Sequence, residues 1–399
     1  MKQSNLIKVA VGMSGGVDSS VAAFLLKHAG YEVVGFFMKL WHDPKCDISR
    51  ENACCDDQAQ ADARAIAKQL EIPFYVVDAR DRFKQDVTDY FIDEYRNCRT
   101  PNPCIVCNEK IKFGWLLEYA EKMGCDFLAT GHYARIVNPG KLSSIYDQCS
   151  LNDQLNKLST KDLNDHSNHL LKGLDESRDQ SYFLYRLNQE QLSKIIFPIG
   201  DMKKSEVRKL AEECDLPVFE KAESREICFV ADDYRNFLQR YLPEDSFKSG
   251  EIVDTKGHIL GHHEGLVNYT IGQRRSVNQE LRIMNKGEDT KPLYVVRLDK
   301  EKNQLVVGED AELWHSKFLV DEMTFISPET ELRIMKNELR GKAVKIRYGA
   351  DLVDCSVCPD HNSLFIIRTS SPLRAITPGQ SAVIYLDDEV VGGGIISSL

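Results

Sequence analysis

The feature that most constrains the fold is a glycine-containing stretch near the start of the chain, between an apolar run and a helical pattern. Residues 7–11 are short, branched and apolar, which predicts a buried strand. Apolar residues at Val17, Val21 and Leu25 have helical spacing, and Gly30 ends the pattern. A strand that turns through adjacent glycines into a helix directs backbone N–H groups and the positive helix end to one place. The stretch therefore predicts a phosphate-binding loop.

This loop consists of Gly12, Met13, Ser14, Gly15, Gly16, Val17, Asp18 and Ser19. A Walker-type loop would end in Gly-Lys-Ser/Thr, but here Asp18 and Ser19 occupy that place and the loop contains no lysine. An aspartate beside a polyphosphate is best explained by a divalent cation between them, so we expect Mg²⁺ near Asp18. The string resembles the signature of the pyrophosphate-loop ATPases, which split ATP into AMP and pyrophosphate. The alternative is an ordinary serine-glycine turn.

Apolar runs and helical patterns alternate over the first part of the chain. The predicted strands are 33–38, 73–77 and 126–130, and the predicted helices are 57–70 and 81–96. This alternation predicts an α/β fold with a doubly wound, mostly parallel sheet and helices on both faces. Because ligands bind beyond the carboxyl ends of such strands, we expect the first loop, Met38 and Gly131-His132 to meet at one crevice.

The pattern changes along the 399 residues, which exceed one typical core. Residues 1–230 are predicted to form the catalytic domain, with a polar surface insertion at 138–171. A small central domain is predicted over 231–292. Short strands separated by turns predict a C-terminal β-barrel over 293–399.

Composition excludes a membrane-spanning segment, because no run of about 18 apolar residues occurs. The first five residues lead directly into the predicted strand and leave no room for a signal peptide, so we expect a cytoplasmic protein. In that reducing compartment the 12 cysteines would be reactive or metal-binding rather than paired in structural disulfides.

The net charge of −10 argues weakly against nucleic-acid binding. However, residues 331–348 contain six basic and two acidic side chains. This stretch could contact phosphates while the whole chain remains acidic, and the alternative is a solvated surface.

Two Cys-x-x-Cys pairs, Cys104/Cys107 and Cys355/Cys358, could together make a four-thiolate zinc site. They lie in different predicted domains, and the second pair brackets a predicted turn. We therefore expect no zinc, and we interpret the second pair as partly buried thiols.

Two cysteines have surroundings that favour the reactive thiolate. Cys107 ends a loop containing two prolines, and we expect a helix to begin just after it, which stabilises a thiolate. Cys228 is flanked by Lys221 and Arg225, whose positive charges favour the thiolate as well.

Six motifs together identify a family. They are Gly12–Ser19, Thr100–Asn108, Ala129–Tyr133, Asp179–Leu184, Glu226–Phe229 and Tyr269–Arg274. In this combination the chain closely resembles the tRNA-specific 2-thiouridylases, bacterial enzymes that thiolate the wobble uridine, over nearly its whole length except 138–171. The resemblance implies an adenine nucleotide alpha hydrolase-like catalytic domain, a small central domain and a C-terminal barrel that helps to hold tRNA.

The resemblance also implies roles for individual residues. Residues 12–19, Met38 and Gly131 would bind ATP, Cys107 would be the nucleophile and Cys228 the persulfide carrier. Asn102, Pro103 and Cys104 would frame the target base. The implied contacts with tRNA are His132, Arg178, Asp179, Gln180, Arg347, Tyr348 and Gln380.

The reaction implied by the resemblance replaces the uracil 2-oxygen at position 34 with sulfur. ATP adenylates that oxygen, pyrophosphate leaves, and a sulfur-carrier protein supplies the persulfide on Cys228. The cycle would leave a Cys107–Cys228 disulfide for cellular reductant to reopen. Three positions depart from the usual family pattern. Some members have Asp at Cys104, Lys is usual at Arg178, and an uncharged polar residue is usual at Arg225.

Two other functions compete with this hypothesis. A pyrophosphate-loop synthetase acting on a small molecule would not need paired thiols, and it would need an ammonia source that the sequence does not show. A non-catalytic tRNA-binding protein would not convert ATP to AMP and pyrophosphate when tRNA is added.

Overall fold

A computed structural model describes residues 6–46, 57–138, 167–218, 227–274, 292–336, 341–360 and 363–398. In chain order the elements of the first part are β1 (Lys8–Gly12), α1 (Val17–His28), β2 (Glu32–Lys39), α2 (Asp57–Gln69), β3 (Phe74–Asp78), α3 (Arg80–Phe83), α4 (Asp89–Arg96), α5 (Pro103–Val106), α6 (Leu117–Lys122), β4 (Phe127–Ala129), β5 (Ala134–Val137), β6 (His169–Lys172), α7 (Gln189–Leu192), β7 (Ile195–Ile196) and α8 (Lys204–Glu213). Two π-helical segments, Lys84–Thr88 and Cys107–Leu116, connect α3 to α4 and α5 to α6.

Five of these strands form one parallel sheet in the order β3-β2-β1-β4-β7. Side chains of β1 alternate between its two faces. Val9 and Val11 pack in a cluster with residues of α1, α2 and α8, whereas Ala10 packs with Phe113 and Leu116 on the other face. Both faces of the sheet are thus covered by helices, and the predicted α/β fold is confirmed.

A second, four-stranded sheet lies in the middle of the chain. Its elements are α9 (Tyr234–Tyr241), β8 (Gly250–Asp254), β9 (Ile259–His263), β10 (Tyr294–Asp299) and β11 (Gln304–Gly308). The strand order is β10-β11-β8-β9, and β11 runs parallel to β8. The prediction that the barrel domain begins at residue 293 is therefore wrong. β10 pairs with β11 and β11 pairs with β8, so this unit extends to Gly308.

The last part of the chain forms a closed antiparallel barrel. Its elements are β12 (Trp314–Phe325), α10 (Pro328–Met335), β13 (Lys342–Lys345), β14 (Val353–Pro359), β15 (Phe365–Arg374), β16 (Ser381–Leu386) and β17 (Glu389–Ser398). The strand order is β12-β15-β14-β13-β16-β17, and pairing of β12 with β17 closes the ring. Closure removes both sheet edges and encloses a buried apolar cluster that includes Phe318, Ile367 and Ile384. The predicted C-terminal barrel is confirmed.

The catalytic domain and the barrel share one continuous sheet. β5 and β6 form an antiparallel pair, and β6 pairs with β17 of the barrel through Leu170 opposite Val390. Part of the predicted insertion 138–171 is thus regular structure, since β6 begins at His169, while residues 139–166 lie outside the described residues. In the described part of the chain, no helix is both long enough and apolar enough to cross a membrane.

Candidate active site

The glycine-containing loop joins β1 to α1 at the carboxyl edge of the parallel sheet. Gly15 has a φ of +71°, and a Cβ there would lie 2.2 Å from the carbonyl oxygen of Ala59 in α2. The Ser14 backbone N–H donates to Ser19 Oγ at 3.2 Å, and Ser20 Oγ donates to the Gly16 carbonyl at 2.7 Å. The loop is therefore fixed mainly by contacts close in sequence, with glycine required where α2 crosses it.

Gly131 follows β4 and lies directly against this loop. A Cβ on Gly131 would be 2.7 Å from the Asp18 carbonyl carbon and 2.7 Å from the Ser19 nitrogen. Met38 lies near the carboxyl end of β2, next to β1 in the sheet. The edge of the sheet thus carries all three segments for which the sequence predicts a common crevice.

A lysine from a distant helix reaches the loop and was missed by sequence reasoning. Lys204, the first residue of α8, donates from Nζ to both carboxylate oxygens of Asp18, at 2.7 and 2.8 Å. The Tyr133 hydroxyl donates to Asp18 Oδ1 at 2.7 Å. The loop itself contains no lysine, and no pattern around Lys204 in the sequence indicates this contact. The structure supplies the cation from another part of the chain.

Mg²⁺ near Asp18 is compatible with these contacts. The Asp18 side chain is 30% exposed, so an oxygen can face a ligand. Proteins commonly hold Mg²⁺ through one or two carboxylates together with substrate phosphates, which is what a single aspartate beside a phosphate loop provides. Among the described residues, no group of three or more His, Cys, Asp or Glu side chains is arranged to hold a metal ion by itself.

His132 is buried beside the loop rather than exposed for RNA. Its Nδ1 lies 2.7 Å from Thr130 Oγ1, and its Nε2 lies 3.5 Å from Lys112 Nζ. An ammonium group cannot accept a hydrogen bond, so Nε2 is the acceptor and Nδ1 carries the proton. Burial, and secondly the Lys112 charge, hold the pKa of His132 well below its ordinary value, so the ring is neutral.

Residues 99–104 include the residues predicted to frame the target base, 102–104, and are called the base-framing segment below. They lead into the helix that carries Cys107. The helix begins at Pro103, with Asn102 preceding it, and not just after Cys107 as predicted. Proline is favoured at the first helical position, and this signal was present in the sequence. Cys104 is exposed in the first turn, whereas Cys107 is buried one turn further on.

Cys107 and Cys228 belong to the same apolar region. Cys107 is a member of a buried cluster, and Cys228 packs against that cluster. Phe229, the residue after Cys228, is buried and makes ring contacts with Trp41, Phe83, Phe91 and Phe237. These contacts anchor the Cys228 backbone on the Cys107 side of the domain. Lys221 and Arg225, the predicted cationic neighbours of Cys228, lie outside the described residues.

The Asp179 carboxylate accepts hydrogen bonds from residues nearby in the chain. It is buried, and Oδ1 accepts the backbone N–H groups of Gly173 at 3.1 Å and Ser181 at 3.0 Å. Ser181 Oγ donates to the other oxygen, at 3.0 Å. The structure therefore does not present this side chain to RNA, although the sequence predicts a contact.

Gln180 holds the segment after β4. Its Oε1 accepts the Tyr133 backbone N–H at 3.0 Å, and its own backbone N–H donates to the Tyr133 carbonyl at 2.8 Å. Arg178, two residues earlier, is half-buried.

The predicted contacts in the barrel differ in exposure. Arg347 and Tyr348 are exposed, and the Tyr348 ring lies 4.6 Å from the Phe183 ring between centroids. Gln380 is half-buried against the catalytic domain. The basic stretch 331–348 is not one surface, because Lys342 is buried while Arg333 and Lys336 are exposed on and after α10.

The second Cys-x-x-Cys pair lies within strand β14 and not around a turn. Cys355 is opposite Thr369, and Cys358 is opposite Ile366. Burial raises the pKa of Cys355 to about 12, which disfavours the thiolate that a zinc ligand requires.

Three family models match successive parts of the chain. They are described as a tRNA methyl transferase HUP domain (residues 7–232), a tRNA methyl transferase PRC-barrel domain (235–309) and an aminomethyltransferase beta-barrel domain (315–396). The second match ends at residue 309, in agreement with the membership of β10 and β11 in the same sheet as β8.

Curated relatives match over almost the whole chain. The tRNA-specific 2-thiouridylase MnmA 1 of Caldanaerobacter subterraneus subsp. tengcongensis is 44% identical, over 98% of this chain and 97% of its own length. The tRNA-specific 2-thiouridylase MnmA of Clostridium acetobutylicum is 41% identical, over 98% of this chain and 99% of its own. A 4-thiouridine synthetase–RNA complex with bound ATP aligns at 16% identity and a TM-score of 0.32, over 59% of this chain and 50% of that chain, which is too distant to inform on function. From these full-length matches, the chain belongs to the family of tRNA-specific 2-thiouridylases.

Proposed function

We propose that this protein is an ATP-dependent tRNA-uridine 2-sulfurtransferase that converts the wobble uridine, position 34, to 2-thiouridine. The observation that carries the proposal is the position of the two thiols. Cys107 and Cys228 belong to one apolar region of a domain that also carries a phosphate loop, within a chain of this family. Paired thiols are needed for sulfur transfer and have no role in a simple ligase.

The first step activates the base. The uracil O2 attacks the α-phosphorus of ATP, the bond to the β-phosphate oxygen breaks, and pyrophosphate leaves. Backbone N–H groups of residues 12–19 would hold the departing pyrophosphate, and charge developing there is stabilised by donors that are already in place. We infer that Lys204 turns from Asp18 to a phosphate oxygen when ATP binds. Mg²⁺ held by Asp18 and the phosphates would supply further charge neutralisation.

The second step transfers sulfur. A sulfur-carrier protein supplies the terminal sulfur of a persulfide on Cys228. Either the Cys107 thiolate attacks Cys228 Sγ and releases sulfide, which adds to C2, or the persulfide adds to C2 first and Cys107 then attacks Cys228 Sγ. In both sequences AMP leaves with the original oxygen, the sulfur is reduced, and the two cysteines are oxidised to a disulfide. A cellular thiol must reduce that disulfide before the next turnover.

The solvent exposure of each side chain indicates whether it could contact the tRNA. Arg347 and Tyr348 are exposed on the barrel and suit contact with the RNA backbone and an unstacked base, respectively. Asn102, Pro103 and Cys104 would frame the target uracil. Asp179 and Gln180 would act mainly by holding backbone next to the site, and His132 by its contact with the Thr130 side chain, because all three side chains are engaged in the protein.

Mass spectrometry of tRNA after incubation with the protein, ATP, magnesium and a persulfide donor tests the proposal. We expect one sulfur-for-oxygen exchange at position 34 and an equal amount of AMP. Cys107→Ser and Cys228→Ser should each abolish sulfur incorporation, while Cys358→Ser, an exposed thiol in the barrel, should retain it. AMP formation that needs no tRNA and persists in both variants would instead indicate a small-molecule synthetase.

A further inference from the structure

The base-framing segment is held by a loop of the barrel that connects β15 to β16. The Thr100 backbone N–H donates to the Pro378 carbonyl at 2.9 Å. The Gln380 amide donates from Nε2 to the carbonyls of Thr100, at 2.9 Å, and Pro101, at 3.1 Å. A side-chain amide has two N–H groups, so both donors of Gln380 are used by the catalytic domain's backbone.

The two backbones are in direct contact at Gly379. Its φ is +90°, and a Cβ there would lie 2.9 Å from Arg99 Cβ and 2.9 Å from the Thr100 nitrogen. The barrel loop is itself fixed to β17. The Gly379 N–H donates to the Ile396 carbonyl at 2.9 Å, and the Ile396 N–H donates to the Gln380 carbonyl at 2.8 Å. The support is therefore continuous with the barrel wall.

A second connection runs through Tyr182 to Asn102. Tyr182 is fully buried, and its hydroxyl donates to the Ser381 carbonyl at 2.9 Å. Burial raises the pKa of this hydroxyl, and an interaction with the Asn102 side chain acts in the opposite direction. Gln380 thus holds residues 100 and 101 directly, and Ser381 is connected to residue 102 only through Tyr182.

We propose that Gln380 is a positioning residue that sets the geometry of residues 100–104 through the Thr100 and Pro101 carbonyls, and is not primarily a contact with RNA. This inference rests on the proposed function for the identity of the reaction. Asn102 and Pro103 follow directly in the chain, so a shift of the two carbonyls displaces the residues that frame the base. The barrel then contributes to the chemical step as well as to RNA binding.

Gln380→Met tests this assignment, because it keeps the length of the side chain and removes both donors. We expect kcat for thiolation to fall roughly 10-fold to 100-fold, as for a displacement of about 1 Å at a reacting centre, with the Kd for tRNA unchanged within about 2-fold. Gln239→Met is the matched control, since Gln239 is exposed on α9, and it should change neither constant. A weaker Kd with an unchanged kcat, or no change in either constant, would overturn the assignment.

Hydrogen exchange in the free protein gives a readout that does not depend on activity. In Gln380→Met the amides of residues 99–107 should exchange faster than in the wild type, while those of the central sheet should not change. Gln380→Glu, which also lacks both donors, should show the same local increase if the methionine variant does not fold. If the wild type makes no thiouridine but the local increase is seen, the proposed function fails and the structural connection stands. Unchanged exchange at 99–107 in a folded variant contradicts the connection itself.

Discussion

The phosphate loop and the base-framing segment lie in the same domain but are held in different ways. The phosphate loop is fixed largely by its own residues, through bonds such as Ser14 N–H to Ser19 Oγ. The base-framing segment depends on Pro378 and Gln380 from the barrel, and on Thr270 from the central part, whose hydroxyl lies 3.2 Å from that of Thr100. The contacts that would bind a common nucleotide are thus encoded locally, whereas the residues that we propose to frame a particular base are held by all three parts of the chain.

The largest effect on activity is expected when an added side chain displaces the phosphate loop. Gly15→Ala places a Cβ against the Ala59 carbonyl and occupies a positive φ, so the amides that would hold pyrophosphate must move. We expect tRNA-dependent AMP formation to fall by more than about 10³-fold, since several donors are displaced together. Gly124→Ala is the matched control, because Gly124 also has a positive φ but has no atom within 4 Å of the added Cβ. It should cost about 1 kcal/mol in stability and leave AMP formation intact. Equal activity of the two variants would contradict the role of the loop.

A smaller effect is expected at the contact between the phosphate loop and Lys204, which is distant in sequence. Lys204→Ala removes the cation beside Asp18, and we expect AMP formation to fall about 100-fold, as when one preorganised donor to a transition state is lost. Lys209→Ala, an exposed lysine on the same helix, should retain wild-type activity. If Lys204→Ala is as active as Lys209→Ala, the loop works without a lysine, as its sequence suggests.

The smallest effect concerns the pH dependence of stability and the buried ring of His132, the residue after Gly131, which lies against the phosphate loop. Because His132 has a lowered pKa in the folded protein, the unfolded chain binds more protons than the folded one below the ordinary histidine pKa. Its contribution to stability is therefore present above about pH 6.5 and is lost as the pH falls, by at most about 1.4 kcal/mol per pH unit. Urea unfolding at several pH values should show this loss in the wild type and a flatter dependence in His132→Gln. A dependence that is equally steep in both proteins would contradict the assignment.

The contrast between regions fixed by neighbours in the sequence and regions held by distant residues also explains which features the sequence could predict. Strand β1, the loop and α1 are adjacent in the chain, so periodicity and glycine placement are sufficient to predict them. The parallel sheet follows from the alternation of strands and helices, and the closed barrel from short strands separated by turns.

What could not be predicted depends on pairing between distant residues. Nothing near Lys204 indicates that it meets Asp18, and nothing in β10 or β11 indicates that they join the sheet of β8 rather than the barrel. The buried positions of His132 and Asp179 follow from tertiary packing as well. The helix start at Pro103, by contrast, could have been predicted from proline at the first helical position.

The central claim is that one thiolated uridine is made for each pair of cysteines oxidised. A single turnover with persulfide-loaded protein, in the absence of reductant, can be quenched with an alkylating reagent and analysed by peptide mass spectrometry. The account predicts one disulfide between Cys107 and Cys228 for each 2-thiouridine formed. Stoichiometric 2-thiouridine with both cysteines alkylated would contradict it.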